Sequence, residues 1–197
     1  MHTENLPAET RQPRIVAVRS LVEFVLQSGD LTAGGFQRRD RAQMGTQGHK
    51  RVQRSRPEGY VAEVEITYRA EGDDPLLEVQ GRMDGLYAAR EPVIIEEIKT
   101  TTLSLELIHE QHNPLHWAQG QCYAYMYAQK HQLSEVCVHL TYYHLDSQAE
   151  KTFERLFTFA ELEAFFLDLI NPYLAWVRRA EAWQARRDQS IQSLNFP

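Results

Sequence analysis

Two strand-forming segments follow each other closely in the middle of this chain, and they constrain its fold more than any other feature. Residues 76–88 (LLEVQGRMDGLYA) and 92–101 (PVIIEEIKTT) are rich in aliphatic and β-branched residues, and a short AARE turn joins them. This pattern predicts a β-hairpin. A turn centred on AARE pairs residues whose numbers sum to 181, which predicts that Asp84 lies opposite Glu97.

The rest of the chain predicts helices around a sheet. The predicted elements are, in chain order, a short strand and a helix between Arg14 and Gly29, a helix over 36–56, a strand over 60–70, the hairpin, a helix opening at Pro114, strands over 134–145 and 151–159, and a helix over 160–189. This order predicts an α/β fold with a mixed central β-sheet flanked by α-helices.

Composition predicts one soluble domain. The 197 residues are 43% hydrophobic and 24% charged, which is ordinary for a globular protein. No apolar run reaches the roughly 18–20 residues that span a bilayer, and the first dozen residues lack the pattern of a secretory signal. Cys122 and Cys137 fit no metal-ligand spacing. We therefore expect a cytoplasmic protein with no membrane partner.

The charge distribution points to a nucleic-acid partner although the net charge is −6. The segment from Gln37 to Arg56, called the basic segment below, is strongly basic and contains a single acid, Asp40. Four of its arginines are candidate phosphate contacts, which predicts binding that weakens as salt rises. These candidates are Arg38, Arg39, Arg51 and Arg54. A solvated helix face with no partner is the alternative interpretation.

The hairpin carries a group of charges at its strand ends. Asp84 and Glu97 would have Cβ atoms about 4.5–5.5 Å apart, and Lys99 lies two residues beyond Glu97 on the same face. Two carboxylates at this distance repel unless a cation lies between them, and Mg²⁺ prefers such oxygen ligands. The alternative is a surface ladder of charges on a solvated sheet.

These residues carry a resemblance to a known family. G-R-M-D ending at Asp84 and E-I-K-T-T beginning at Glu97 resemble motifs II and III of the PD-(D/E)XK nucleases, in the RecB-like exonuclease branch. G-T-Q-G-H ending at His49 resembles that branch's G-x-x-x-H motif, and Q-G-Q-C-Y over 119–123 resembles its Q-x-x-x-Y motif. The four occur in the family's order over residues 45–123. The resemblance implies a restriction-endonuclease-like core.

The resemblance implies a deoxyribonuclease that depends on Mg²⁺ or Mn²⁺, an exonuclease acting on single-stranded or unwound DNA. The catalytic residues it implies are Asp84, Glu97 and Lys99; the metal ligands are His49, Asp84, Glu97 and the carbonyl of Ile98; and the strand-positioning residues are Gln119 and Tyr123. The E-x-K spacing selects Glu97 over Glu96. The four cysteines of the iron–sulfur branch are missing, so no iron–sulfur cluster is expected.

The two ends of the chain resemble parts of helicases. SIQSLNFP over 190–197 resembles the lead-in to the motor of DinG-like helicases of the XPD group, and VRSLVEFVLQSGDL over 18–31 resembles the start of the RecB-like domain of some of them. This implies one nuclease domain over 1–187, a linker over 188–197 and a covalently linked helicase domain downstream. No P-loop motif occurs, so this chain is expected to have no ATPase activity.

Three other interpretations stay open. The domain could be a catalytically silent module that binds DNA or targets a helicase, or an α/β scaffold with a surface charge ladder. A separate possibility is a zinc site on His109, His112 and His116, whose spacing mimics one helix face. Pro114 falls within that spacing and a fourth ligand is missing.

Overall fold

The order of helices and strands follows the predicted one. The computed structural model describes residues 13–26, 38–70 and 76–193; residues 38–43 are described by their backbone only. Its elements are β1 (Arg14–Ala17), α1 (Val18–Leu26), α2 (Arg38–Ser55), β2 (Val61–Arg69), β3 (Leu77–Tyr87), β4 (Ile94–Thr101), α3 (Pro114–His131), β5 (Glu135–His144), β6 (Glu150–Thr158) and α4 (Phe159–Gln192).

The six strands form one mixed sheet, which confirms the predicted α/β class. β2 pairs antiparallel with β3 along residues 78–86. On the opposite edge of β3, β1 pairs in parallel with residues 77–80 and β4 pairs antiparallel with residues 85–87. β5 then runs parallel to β4, and β6 antiparallel to β5. The segment 81–84 of β3 therefore lies between β1 and β4 and pairs with neither.

Helices cover the two faces of the sheet unequally. The main core holds α1, α3 and α4 against the sheet, with Phe166 stacked on Tyr125 at 4.4 Å between ring centroids. α2 packs on the other face of β4 and β5, where Val52, Ile98 and Tyr143 form a small separate cluster. Side chains alternate along a strand, so Ile98 and its neighbour Glu97 point to opposite faces. α2 thus has little apolar surface holding it in place.

α3 begins where the sequence predicts and lies very close to the sheet. The Asn113 side chain accepts a hydrogen bond from the Leu115 N–H at 3.0 Å, and Pro114 occupies the first helical position, where no donor is needed. A Cβ at Gly120 would lie 2.6 Å from Val138 and 3.9 Å from the Cβ of Glu97. Glycine at this position therefore lets α3 approach the strand that carries Glu97.

α4 is the longest helix and begins with a capping box. The Thr158 side chain accepts from the Glu161 N–H, and the Glu161 carboxylate accepts from the Thr158 N–H. The helix extends to Gln192, so residues 188–192 of the predicted linker are helical; the domain boundary at 187 stays a prediction. Within the described residues, no helix has the length and apolarity needed to cross a bilayer.

A candidate metal centre at the open edge of the sheet

The hairpin has the predicted register. Gly85 pairs with Glu96, Leu86 with Ile95 and Tyr87 with Ile94, and the numbers of each pair sum to 181. Continuing the same register would bring Asp84 opposite Glu97, but the ladder ends before that pair. Both carboxylates nevertheless line one cavity, and their joint role as a metal site stays a prediction.

The ladder between β3 and β4 stops where these carboxylates begin. Beyond Gly85 no further pair forms, and the Asp84 side chain takes over the role of the ladder by accepting the Ile98 N–H at 2.7 Å from Oδ2. β1 has already left β3 at Gln80. β3 and β4 therefore diverge at Asp84, and a cleft opens along this edge of β3.

This cleft is a cavity of about 830 Å³, and most of the predicted site residues line it. The lining includes predicted residues from four different elements, α2, β3, β4 and α3: His49, Asp84, Glu97, Lys99, Gln119 and Tyr123. Ile98 joins through its backbone, because its N–H binds Asp84. The metal-ligand role of its carbonyl stays a prediction.

Short polar contacts organise the cavity. Lys99 Nζ lies 2.6 Å from Glu97 Oε1 and 2.7 Å from Gln119 Oε1, so α3 fixes the lysine that follows the carboxylate. His49 Nδ1 lies 3.2 Å from Asp84 Oδ1, which ties α2 to β3. Each predicted carboxylate thus has one cationic or ionisable neighbour.

Burial makes this site unfavourable for anions unless a cation is present. Glu97 is only 4% exposed, and this burial raises its pKa; the charge of Lys99 opposes the rise, and the charge of Asp84 adds to it. Burial lowers the pKa of His49, but its hydrogen bond to Asp84, together with the charges of Asp84 and Glu97, raises the pKa above the ordinary value overall. A divalent cation would satisfy both carboxylates at once.

Glu97 and His49 are expected to contribute less to the stability of the metal-free protein as pH rises. The folded pKa values of Glu97 and His49 lie above their ordinary values of 4.5 and 6.5, so each stabilises the fold below that ordinary value and loses the contribution as pH rises through its folded pKa. Urea unfolding of chelator-treated protein from pH 4 to 8 measures this, with the double variant His49→Gln and Glu97→Gln as comparison. Equal pH slopes in both proteins would contradict the assignment.

Glu96 and Glu97 belong to different faces of the sheet. Glu96 is 2% exposed and pairs with Arg56 at the end of α2, with Nη2 at 2.5 Å and Nε at 3.1 Å from its two oxygens. The Thr141 hydroxyl donates to the same carboxylate at 2.6 Å. Arg56 therefore already compensates the charge of Glu96. Glu97 is the glutamate that faces the cavity, as the E-x-K spacing predicts.

The basic segment contributes less to the cavity than predicted. Arg51 and Arg54 are exposed on α2 but line other surface depressions, and the side chains of Arg38 and Arg39 lie outside the described part of the structure. Three other cations line the cavity: Lys50, which belongs to the basic segment but was not among the four candidates, and Arg19 and Arg82, which lie outside that segment. Charge along the chain could not find Arg19 and Arg82, because α1, α2 and β3 meet only in the folded protein.

Two further polar residues beside Asp84 were also missed. Gln53 Nε2 donates to the Asp84 carbonyl at 2.9 Å and to Glu63 Oε1 at 2.8 Å. Glu63 lies on β2, lines the cavity and has a left-handed backbone with φ of 56°. The position of Gln53 one turn after His49 was a usable signal for a shared helix face. Nothing in the sequence marks the backbone of Glu63.

The three histidines do not form a zinc face. His109 and His112 precede α3 and are exposed, whereas His116 lies inside it. Burial, with a smaller effect from Lys99, lowers the pKa of His116 to about 3, and its ring bonds the Tyr142 hydroxyl at 2.9 Å. Among the described residues, no three His, Cys, Asp or Glu side chains are already grouped as ligands around one point.

The donor set nevertheless fits a hard divalent ion in its chemistry. Two carboxylates and an imidazole line one cavity, and burial together with the charge of Asp84 raises the pKa of Glu97 despite its contact with Lys99. Oxygen donors with a single imidazole suit Mg²⁺ or Mn²⁺ better than softer metals. In the described conformation Glu97 turns towards Lys99, and Asp84 towards His49.

Comparisons with known proteins identify no family. No protein-family model matches this chain, and no curated protein matches it. The crystal structure of SSO0001 is similar, with 18% sequence identity, a TM-score of 0.49, and coverage of 83% of this chain and 78% of that one. The fold and the site together define an α/β protein with a mixed six-stranded sheet whose open edge holds paired carboxylates and a lysine.

Proposed function

We propose that this protein is a metal-dependent DNA nuclease with a restriction-endonuclease-like core of the RecB-like PD-(D/E)XK type. One observation carries the proposal: Asp84, Glu97 and Lys99 line a single cavity at the point where β3 and β4 diverge. His49, Gln119 and Tyr123, from the two remaining motifs, line the same cavity. Four motifs spread over the chain thus converge on one volume.

The residues divide the work of phosphodiester hydrolysis. Asp84, Glu97 and His49 would hold Mg²⁺ or Mn²⁺, which, when bound, lowers the pKa of a water and offsets phosphate charge. An ammonium group has three donors, and two of those on Lys99 point at Glu97 and Gln119. The third can orient an attacking water or a phosphate oxygen.

Tyr123 is suited to hold the substrate strand. It is 8% exposed at the cavity wall, and burial raises the pKa of its hydroxyl, as do the charges of Glu97 and Asp84. The hydroxyl therefore keeps its proton at any working pH. A permanent O–H donor can bind a phosphate oxygen without adding negative charge to the site.

The substrate class that we propose is DNA in single-stranded or unwound form. Arg19, Lys50 and Arg82 supply positive charge at the cavity wall, which suits a phosphate backbone. The resemblance of the chain ends to DinG-like helicases supports a further proposal, a covalently linked helicase domain that delivers such a strand.

Lys50→Ala is expected to weaken DNA binding and lower its salt dependence. Removing one phosphate contact reduces the slope of log K against log salt concentration by about 0.7 for a single strand. Fluorescence anisotropy with labelled oligonucleotide at several salt concentrations measures the slope. Lys130→Ala is the control, because Lys130 is exposed on α3 and lies outside the cavity. An equal change in both variants would show that Lys50 makes no specific contact with the DNA phosphates.

The function itself is tested with end-labelled single-stranded DNA and purified protein in Mn²⁺, Mg²⁺ or a chelator. Degradation that requires metal and disappears in Lys99→Ala supports the proposal, and the product ladder gives the polarity. Salt-sensitive binding without degradation would favour the catalytically silent DNA-binding module. Degradation that survives Lys99→Ala would mean that the site is misplaced.

A further inference from the structure

Asp84 lies in a gap of the sheet on both of its sides. On the β2 side, Ala62 pairs with Gly85 and Val64 pairs with Met83, but Glu63 and Asp84 between them form no pair. On the β4 side, the Asp84 carboxylate accepts the Ile98 N–H in place of a ladder bond. The main chain of Asp84 is thus held by something other than its neighbouring strands.

Side chains hold it instead. The Asp84 carbonyl accepts from Gln53 Nε2 at 2.9 Å and from the Tyr60 hydroxyl at 3.3 Å. His49, one turn before Gln53 on α2, meets the Asp84 carboxylate. One helix therefore fixes both the carbonyl and the carboxylate of the same residue.

Glu63 anchors Gln53 from an unfavourable backbone conformation. Its φ of 56° is left-handed, which costs free energy for a residue with a side chain. The Glu63 side chain is 40% exposed, so burial in the core does not explain that conformation. Its carboxylate is nevertheless held on both oxygens, by Gln53 Nε2 at 2.8 Å and Arg82 Nε at 2.7 Å. Strain at an exposed residue beside a candidate ligand points to a positioning role.

We propose that Gln53 and Glu63 are positioning residues that hold Asp84 out of the ladder so that its carboxylate faces the cavity. This inference rests on the proposed function, because it assumes that Asp84 binds a divalent ion. Neither residue has to touch the ion. They act as partners that fix a ligand, and loss of such partners typically weakens metal binding 10- to 100-fold.

The test uses titration calorimetry of Mn²⁺ into the full chain, with urea unfolding and DNA cleavage measured on the same samples. Gln53→Ala should weaken Mn²⁺ binding about tenfold and lower kcat, with little change in KM for DNA. Gln47→Ala is the matched control, because Gln47 lies on the same helix outside the cavity. It should bind Mn²⁺ like the wild type.

Three Glu63 variants separate positioning from plain stability. Glu63→Gln keeps an oxygen acceptor for Gln53 and should recover most of the affinity that Glu63→Ala loses. Glu63→Gly accepts the left-handed backbone without strain, so it should unfold at higher urea and yet bind Mn²⁺ more weakly than the wild type. A merely structural clamp would instead change stability and leave Mn²⁺ affinity alone.

The outcomes distinguish this inference from the proposed function. Wild-type Mn²⁺ affinity and cleavage in Gln53→Ala would overturn the inference and leave the nuclease proposal standing. If the wild type binds Mn²⁺ but degrades no DNA, weaker binding by Gln53→Ala supports the inference and unchanged binding overturns it. A wild type that neither binds Mn²⁺ nor degrades DNA overturns both.

Discussion

Glu97→Gln is expected to reduce DNA cleavage by about 1,000-fold, which corresponds to about 4 kcal/mol of transition-state stabilisation. The amide cannot supply the negative charge that a divalent ion needs. The same change should raise the melting temperature of the metal-free protein by about 2–4 °C, equivalent to about 1 kcal/mol for a chain of this size. The reason is that Glu97 is 4% exposed, and burial together with Asp84 disfavours its charge.

Opposite signs on activity and stability are what make this variant informative. Single-turnover cleavage of end-labelled DNA measures the first effect, and thermal unfolding in chelator and in Mn²⁺ measures the second. Glu106→Gln, an exposed glutamate beyond β4, is the matched control and should change neither. A variant that loses both activity and stability would show that Glu97 is needed for folding, against the assignment of a metal ligand.

Glu96→Ala, one residue earlier, is expected to lower the free energy of unfolding by about 3 kcal/mol. Its carboxylate is buried and accepts two hydrogen bonds from Arg56 and a third from Thr141. Among the residues that the structure describes, no other partner of equal burial remains for that arginine. Arg56 also bonds Glu150 at 2.8 Å, but that carboxylate is more exposed. Removing Glu96 therefore loosens the end of α2 and leaves a partly buried cation.

Urea unfolding measures this loss, with Glu150→Ala as the control. The pair of Arg56 with Glu150 is more accessible to solvent, so its removal should cost only about 0–1 kcal/mol. In Mn²⁺ and below its unfolding transition, Glu96→Ala should still cleave DNA. Similar stability losses in the two variants would contradict the assignment of Glu96 as the buried anchor of α2.

The hairpin could be predicted because its information is local. A short turn between two apolar strands fixes the register, so the observed pairs from Tyr87–Ile94 to Gly85–Glu96 follow from counting residues. Helical spacing likewise predicts that Gln119 and Tyr123 share a face of α3, and both line the cavity. These features needed no knowledge of distant contacts.

The open edge of β3 could not be predicted, because it depends on pairing between strands far apart in the chain. β1 occupies one half of that edge and β4 the other, and periodicity within each strand carries no information about this arrangement. The hydrogen bonds that hold Asp84 in place also depend on residues far apart in the chain. Gln53 and Asp84 are 31 residues apart and meet only because α2 packs beside the hairpin.

The basic segment shows a limit of reasoning from charge. A run of arginines and lysines predicts a binding face, but helical geometry distributes neighbouring residues around the axis. Lys50 consequently lines the cavity, whereas the adjacent Arg51 does not. Counting charges along the chain therefore overestimates how many reach one strand of DNA.

Titration calorimetry of Mn²⁺ into the metal-free chain tests the central claim most directly, namely that Asp84 and Glu97 together bind a divalent ion. We predict saturable binding by the wild type and at least about tenfold weaker binding by Asp84→Asn and by Glu97→Gln, a loss of about 1.4 kcal/mol or more. Heats of dilution alone in the wild type, or the same affinity in all three proteins, would contradict the claim.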